Sequence, residues 1–262
     1  MGNGHSHSGM KKFRSDLHVH TVLSPCAEVE MIPPLIVQRA LELNIDIIAI
    51  TDHNASANVS AVQKAALGSK LKVLPGMEVQ TREDVHLLCL FEGLNELESW
   101  QTEVNESLPN SLNQAEFFGE QYIVDENGEY LCTEDRMLLT STQFSIDDVF
   151  ERVNELGGLV IPAHVNRTTY GLFPTLGLLS DQWPILGFEI SRHISPEQAR
   201  INFPSIGNYP LIQNGDVHRL NEYIGNTIFM LEEPTIDEIR KAFKGEDQRK
   251  VYVEYMPDML HP

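Results

Sequence analysis

Three observations predict that the sequence folds as a single α/β barrel. The chain has 262 residues, and a barrel of alternating strands and helices takes about 250. Apolar runs alternate with helical patterns, which favours strand–helix units in a parallel barrel or sheet. Several of these runs are continuously apolar, as expected for strands that are buried on both faces.

The apolar runs predict eight strands, at 16–20, 45–50, 72–74, 85–91, 159–163, 187–190, 211–214 and 224–230. A helix is predicted over PPLIVQRALELN, because prolines suit the first turn of a helix and the apolar residues recur at intervals of three and four. A second helix is predicted over SIDDVFERVNELGG. There Ser145 would be the N-cap and Gly157 would end the helix.

One domain is expected over residues 11–262, preceded by a leader or disordered tail at 1–10, because MGNGHSHSG is polar. An insertion at about 95–143, between the fourth and fifth strands, breaks the alternation and is polar and acidic. Within it, VDENGEY predicts a hairpin turn at Asn127–Gly128. The insertion is either a lid or binding loop, or a surface excursion without a role.

The charge and the cysteines limit the partners. A formal net charge of −19 argues against a general nucleic-acid binder. No run approaches the roughly 20 apolar residues that span a membrane. Three cysteines with no CxxC pair and no evident secretory signal favour a reduced, cytoplasmic location. We therefore expect a small phosphorylated substrate, no long nucleic acid and no membrane; the oligomeric state is open.

Histidines and acids stand at the ends of the apolar runs. The segments are DLHVH, ITDHN, GMEV, VHLLCLF, PAH and GDVH. Alternate residues of a strand point the same way, so His18 and His20 can hold one ion, as can Asp216 and His218. The C-terminal strand ends of a barrel converge on one face. Imidazole with carboxylate suits zinc, manganese or iron, so one shared metal site is predicted.

This ordered set of segments resembles the PHP superfamily, the polymerase and histidinol phosphatase metallohydrolases. The resemblance runs from about Asp16 to Asn226 and is weakest in the insertion. It implies a distorted (β/α)7 TIM-like barrel with two or three divalent ions, zinc, manganese or iron, at its C-terminal face. It also implies hydrolysis of a phosphoester.

The resemblance also implies a ligand set, residue by residue. The first ion would take His18, His20, Glu78 and Asp216, and the second Glu78, His86 and His164. The third would take Cys26, His53 and His218. Relatives more often have histidine or aspartate at the position of Cys26, so the cysteine is a departure. A thiolate is still a good soft ligand for zinc.

The predicted chemistry is attack on phosphorus by metal-activated water, with Glu78 and Asp216 as catalytic carboxylates. Asp52 would orient a ligand histidine, although a turn-capping role is an alternative. A phosphate-binding site also needs cationic side chains, which would lie in the loops after the barrel strands. The candidates are Arg167, Arg192, His193 and Arg219.

Two other functions stay open at this point. The chain could be a non-catalytic metal-binding regulatory module, or a hydrolase of a non-phosphate substrate. The nearly complete ligand set favours a stand-alone metal-dependent phosphatase or phosphodiesterase that acts on a small phosphorylated metabolite or nucleotide.

Overall fold

The computed structural model describes residues 9–177 and 179–255, so most of the predicted leader lies outside the described residues. The strands are β1 Lys11–Val19, β2 Ile47–Ile50, β3 Lys72–Gln80, β4 His86–Leu90, β5 Tyr122–Val124, β6 Tyr130–Thr133, β7 Leu159–Pro162, β8 Phe188–Ile190, β9 Leu211–Gln213, β10 Thr227–Leu231 and β11 Lys250–Val253. The helices are α1 Pro33–Glu42, α2 Val59–Ala65, α3 Leu94–Ser107, α4 Ala115–Phe118, α5 Ile146–Glu155, α6 Leu172–Leu176, α7 Pro196–Asn202 and α8 Ile236–Lys244.

The largest sheet is curled and has the strand order β11-β10-β1-β2-β3-β4-β7. A parallel pair, β8–β9, continues from β7, because the Val165 amide donates to the Glu189 carbonyl at 2.8 Å. The segment after β9 returns to β1, where Val217 exchanges backbone hydrogen bonds with His18 and His20. The predicted distorted TIM-like barrel is confirmed, with β10 and β11 added antiparallel beside the first half of β1.

Strand β4 departs from a parallel barrel, since it pairs antiparallel with both β3 and β7. Only residues 81–85 join β3 to β4, whereas a parallel crossover needs a dozen residues or more. The reversal moves the first residue of β4, His86, to the rim where β3 ends, and Gln80 faces it in register. A histidine at the start of this strand therefore reaches the same face as histidines that follow other strands.

The predicted helix boundaries follow local capping. Helix α1 begins at its two prolines. Helix α5 has a capping box in which the Ser145 hydroxyl accepts from the Asp148 amide and the Asp148 carboxylate accepts from the Ser145 amide. Gly157 follows this helix with φ +74°, which a glycine adopts without strain.

The predicted insertion begins with a helix that belongs to the barrel core. Leu97, Trp100 and Val104 of α3 are fully buried or nearly so, and Trp100 stacks on Phe144 with ring centroids 5.2 Å apart. The rest of the insertion holds α4 and the β5–β6 hairpin. Its turn carries Gly128 at φ +83°, within the predicted Asn127–Gly128 turn.

Replacing Trp100 by alanine tests the packing of α3. We expect Trp100→Ala to lower the free energy of unfolding by about 3–5 kcal/mol, since it removes a fully buried indole and leaves a cavity. Urea unfolding followed by circular dichroism measures the change. Leu112→Ala is the control, because Leu112 is exposed. A loss below about 1 kcal/mol would place α3 outside the cooperative core.

Candidate metal centre

The barrel brings the predicted histidines and acids to one rim. His18 lies near the end of β1 and His20 directly follows that strand, and Glu78 lies near the end of β3 beside the segment that carries His53. The chain positions each of the others at the same rim: His86 begins β4, His164 follows β7, and Asp216 and His218 follow β9. Three groups have ligand atoms within 4.8 Å of one another, namely His18–His20–Glu78, His20–His53–His218 and His53–Glu78–His86.

The Glu78 carboxylate is the centre of the cluster. Its Oε1 lies 2.8 Å from His86 Nδ1, 3.1 Å from His164 Nε2 and 3.2 Å from His18 Nε2. Its Oε2 lies 2.9 Å from His53 Nδ1. Four strands or strand ends therefore meet at one buried carboxylate, which is the arrangement that a bridging ligand requires.

Asp216 supplies the second carboxylate from the opposite side of the barrel. Its Oδ1 lies 3.4 Å from His18 Nε2, from His20 Nε2 and from His218 Nδ1. The backbone of Asp216 has φ +49°, a conformation that costs energy for a residue other than glycine. This strained turn aims the carboxylate back towards β1.

Several buried ligand atoms in this cluster lack a hydrogen bond. Within the described residues, the atoms without a partner include His18 Nε2, His20 Nε2, Glu78 Oε2, His86 Nε2 and His164 Nδ1. Buried polar atoms without partners cost about 1–3 kcal/mol each, and several of them on neighbouring side chains are what a cation-binding site would present. Nitrogen and oxygen donors of this kind fit zinc, manganese or iron. The site residues therefore fit the predicted metal ions.

The charges in the cluster depend on one another. Burial raises the pKa of Glu78, but the charges of His86, His18 and His53 outweigh it and hold that pKa well below its usual range. Burial lowers the pKa of His18, but Glu189, Glu78 and Asp216 together raise it well above the ordinary value. Positive charge is therefore favoured beside the carboxylates, as a bound cation would also be.

Cys26 lies at the exposed edge of the cluster. Partial desolvation raises the pKa of its thiol, but the charges of His53 and His218 and hydrogen bonds to both lower it to about 6. The structure thus brings together the three residues that the resemblance assigned to a third ion. His20 also lies within reach of His53 and His218.

The backbone carbonyl of Asp52 accepts from the Glu78 amide at 3.1 Å, whereas its carboxylate bonds residues that adjoin the cluster. Its carboxylate accepts from the Thr21 amide at 2.7 Å, the Thr21 hydroxyl at 2.8 Å and the Ser24 hydroxyl at 2.7 Å. The Ser24 hydroxyl in turn lies 2.9 Å from His20 Nδ1. Hydrogen bonds through Ser24 therefore link the Asp52 carboxylate to His20, and its direct contacts are those expected of the alternative turn-capping role.

The four predicted phosphate-binding residues differ in their surroundings. Arg167 is 43% exposed and its Nη1 lies 2.5 Å from Asp216 Oδ2, at the rim of the cluster. The guanidinium of Arg192 donates to the Gly215 carbonyl and to Glu222.

Arg219 is held by acids outside the cluster, and His193 is exposed to solvent. Arg219 pairs with Glu28 at 3.0 Å and lies 3.6 Å from Glu222. His193 is exposed, and burial together with the charges of Arg192 and Arg167 lowers its pKa. Arg167 is therefore the predicted cation that directly contacts a cluster carboxylate.

Sequence reasoning missed Glu189 and Tyr170. Glu189 is buried in β8 and lies 3.0 Å from His18 Nδ1, and Tyr170 stacks on His86 with ring centroids 4.3 Å apart. The signal for Glu189 was its place in the apolar strand GFEIS, because a lone acid there must have a partner. No sequence pattern pointed to Tyr170.

A TIM-like barrel with histidines and carboxylates gathered at this rim defines the class of metal-dependent hydrolases. The family model described as PHP domain matches residues 16–122 of the chain. The resemblance inferred from the motifs is confirmed.

Relatives and solved structures are similar to the chain over different lengths. YqxK of Bacillus subtilis is 23% identical over 269 residues, covering 96% of this chain and 67% of that protein. The 5'-3' exoribonuclease Rnm of Salmonella typhimurium is 32% identical over 80 residues, which is 29% of this chain and 26% of Rnm. The lesion-specific endonuclease Q of Pyrococcus furiosus has a TM-score of 0.68 at 20% identity, covering 92% of this chain and 58% of that chain.

The expectation that no long nucleic acid is a partner is wrong as a general exclusion. A second endonuclease Q structure, with a TM-score of 0.65, holds a 27-mer duplex with an abasic lesion at its active site. Net charge reports the whole surface, whereas a nucleic acid contacts only the rim of a cleft. Within the described residues, the structure has no helix long and apolar enough to cross a membrane.

Proposed function

We propose that the chain is a metal-dependent phosphoesterase and that the cluster around Glu78 and Asp216 is its active site. One observation carries this proposal: ring nitrogens of four histidines, His18, His53, His86 and His164, lie within 3.2 Å of one buried carboxylate, that of Glu78. These side chains are not needed merely to stabilise the fold. A buried polar cluster that is only partly hydrogen-bonded is less stable than apolar side chains packed in the same place.

The proposed ligand set keeps the residues predicted from the sequence. The first ion would take His18, His20, Glu78 and Asp216; the second would take Glu78, His86 and His164; the third would take Cys26, His53 and His218. Mutual distances of 2.8–3.5 Å between these carboxylate oxygens and ring nitrogens support the first two sets. Two or three divalent ions in such a site supply an activated water and neutralise charge on phosphoryl oxygens.

A cationic side chain at the rim of the cluster would position the substrate. Arg167 stands at the rim with 43% of its side chain exposed, so its guanidinium can bind a phosphoryl oxygen while Asp216 holds it. Arginine binds phosphate oxygens through two parallel hydrogen bonds. We propose Arg167 as the residue that orients the scissile phosphate, while Glu78 and Asp216 supply the negative charge for metal ions.

We infer that the phosphoester belongs to a nucleotide or a nucleic acid. The names of two similar proteins support this choice, an exoribonuclease and a lesion-specific endonuclease. This chain spans 26% of the first and 58% of the second.

Hydrolysis assays on purified protein test the proposed function. The substrates are p-nitrophenyl phosphate, its bis-ester, a mononucleotide and end-labelled DNA and RNA oligonucleotides, each with added Mn²⁺, Zn²⁺ or Fe²⁺. We expect metal-dependent release of product from at least one phosphoester. No turnover of any phosphoester by metal-loaded protein would contradict the proposal and favour the binding-module or non-phosphate alternatives.

Replacing Arg167 tests its contact with substrate. We expect Arg167→Met to raise KM for the best phosphoester about 10- to 100-fold, because a hydrogen bond to a charged group contributes about 1.5–3 kcal/mol. Steady-state kinetics measure the change. The matched control is Arg200→Met, since the Arg200 guanidinium bonds the carbonyls of Gly207 and Tyr209 instead. An unchanged KM in Arg167→Met would remove Arg167 from the substrate site.

A further inference from the structure

The buried carboxylate of Glu189 contacts three segments of the barrel next to the candidate metal centre. Glu189 lies in β8 with 1% of its surface exposed. Its Oε1 accepts from the backbone amide of His164 at 2.9 Å, and its Oε2 accepts from Asn214 Nδ2 at 2.7 Å. His18 Nδ1 lies 3.0 Å from Oε1 and 3.2 Å from Oε2.

The orientation of the Asn214 amide follows from a fourth hydrogen bond. The backbone amide of Leu17 donates to Asn214 Oδ1 at 2.9 Å. A backbone N–H is always a donor, so the atom it contacts is the oxygen of the side-chain amide. Asn214 Nδ2 must therefore be the group that faces Glu189, and it can only donate.

These contacts fix the proton on the ring of His18. Both oxygens of Glu189 already accept from N–H groups, and a carboxylate offers no hydrogen of its own. The hydrogen between Glu189 and His18 must therefore reside on His18 Nδ1. In the neutral ring that a metal ligand requires, the other nitrogen, Nε2, then has a free lone pair; it lies 3.2 Å from Glu78 Oε1 and 3.4 Å from Asp216 Oδ1.

We propose that Glu189 is a positioning residue, which holds His18 in the Nδ1–H tautomer and holds the backbone of His164 beside it. His164 has φ +28°, a conformation outside the common regions for residues with a side chain. One carboxylate thus sets the ring of one proposed ligand and the backbone of another. The inference rests on the proposed ligand role of His18, but it does not depend on which phosphoester is the substrate.

Glu189→Gln separates this role from simple packing, since glutamine has nearly the same shape. An amide has one acceptor and one donor group, whereas the surroundings present three donors. If the new NH₂ group faces His18, the ring turns to the Nε2–H tautomer and loses its lone pair towards the metal. If it faces Asn214 or His164, two donors oppose each other. Either arrangement weakens the metal site without removing a ligand.

The experiment measures zinc affinity with a competing chelator and the tautomer of His18 by side-chain ¹⁵N NMR of zinc-loaded protein. We expect Glu189→Gln to bind zinc about 10- to 100-fold more weakly than the wild type, as found when the group that orients a ligand histidine is lost. In the wild-type protein we expect a proton on Nδ1 of His18 and none on Nε2. Loss of the His18 signals in His18→Gln assigns them.

Glu238→Gln is the matched control. Glu238 is also a buried glutamate that accepts from a backbone amide, that of Glu232, and from a side chain, that of Arg249. It lies on α8, away from the cluster. We expect this variant to lose stability, measured by thermal unfolding, while it keeps wild-type zinc affinity.

Each result has a distinct meaning. Zinc affinity within twofold of wild type in folded Glu189→Gln would overturn the positioning role, as would an Nε2–H signal from His18 in the zinc-loaded wild-type protein. If Glu189→Gln fails to fold, the wild-type NMR spectrum still decides. Zinc that fails to bind the wild-type protein would instead refute the ligand assignment under the proposed function.

Discussion

Glu78→Gln is expected to abolish turnover, with a fall in kcat of about 10⁴-fold, the scale seen when one member of a cooperating catalytic set is removed. The carboxylate of Glu78 lies within 3.2 Å of nitrogens from His18, His53, His86 and His164. Glutamine keeps the shape but removes the negative charge and one acceptor. The variant should therefore fold and yet bind fewer metal ions per chain.

The measurement combines kinetics with elemental analysis of the same sample. Glu103→Gln is the control, because Glu103 pairs with Arg152 on the outer helices and should leave both readouts unchanged. Circular dichroism shows whether Glu78→Gln is folded. A folded Glu78→Gln protein that retains more than a tenth of the wild-type activity would show that the cluster is not the active site.

Removal of the metal is expected to eliminate turnover and to destabilise the protein. Without ions, buried nitrogens of His18, His20 and His86 have no hydrogen-bond partner. The free-energy cost of burying these unpaired atoms destabilises the folded state. A ligand that binds only the folded protein stabilises it by about 2.7 kcal/mol when present at a hundred times its Kd. We therefore expect the melting temperature to fall after chelation and to recover, together with activity, when Mn²⁺, Zn²⁺ or Fe²⁺ is added.

Differential scanning fluorimetry and an activity assay measure both effects. Glu78→Gln serves again as a comparison, since its melting temperature should respond far less to added metal. Full activity in protein from which all transition metal has been removed would contradict metal-dependent hydrolysis. Recovery of stability without activity would agree with the alternative of a metal-binding module.

The strands of the barrel could be predicted from the sequence because they are apolar runs with sharp ends. The histidines could be predicted because they follow those runs. Strand β3 was expected at 72–74 but extends to Gln80, since Pro75 and Gly76 resemble a strand end. The antiparallel direction of β4 could be predicted only from the length of the link before it, which is too short for a parallel crossover. Strand β11 has a mixed burial pattern, so it does not form a distinct apolar run in the sequence.

The parts of the site that depend on distant pairings could not be predicted. Glu189 and His18 are 171 residues apart, and no local pattern joins them. Arg192 and Arg219 follow barrel strands as a phosphate ligand would, but Glu222 holds both. The hydrophobic periodicity of the sequence indicates which residues are buried and where strands end. It does not report which charged partner a long side chain reaches.

The most direct measurement is anomalous diffraction from a crystal of the wild-type protein soaked in Mn²⁺. The account predicts at least two anomalous peaks at the barrel rim, one about 2.0–2.5 Å from an oxygen of Glu78 and from His18 Nε2, and another between Glu78 and His86. A crystal with no peak within reach of Glu78, while ions bind elsewhere, would contradict the metal centre and with it the proposed phosphoesterase.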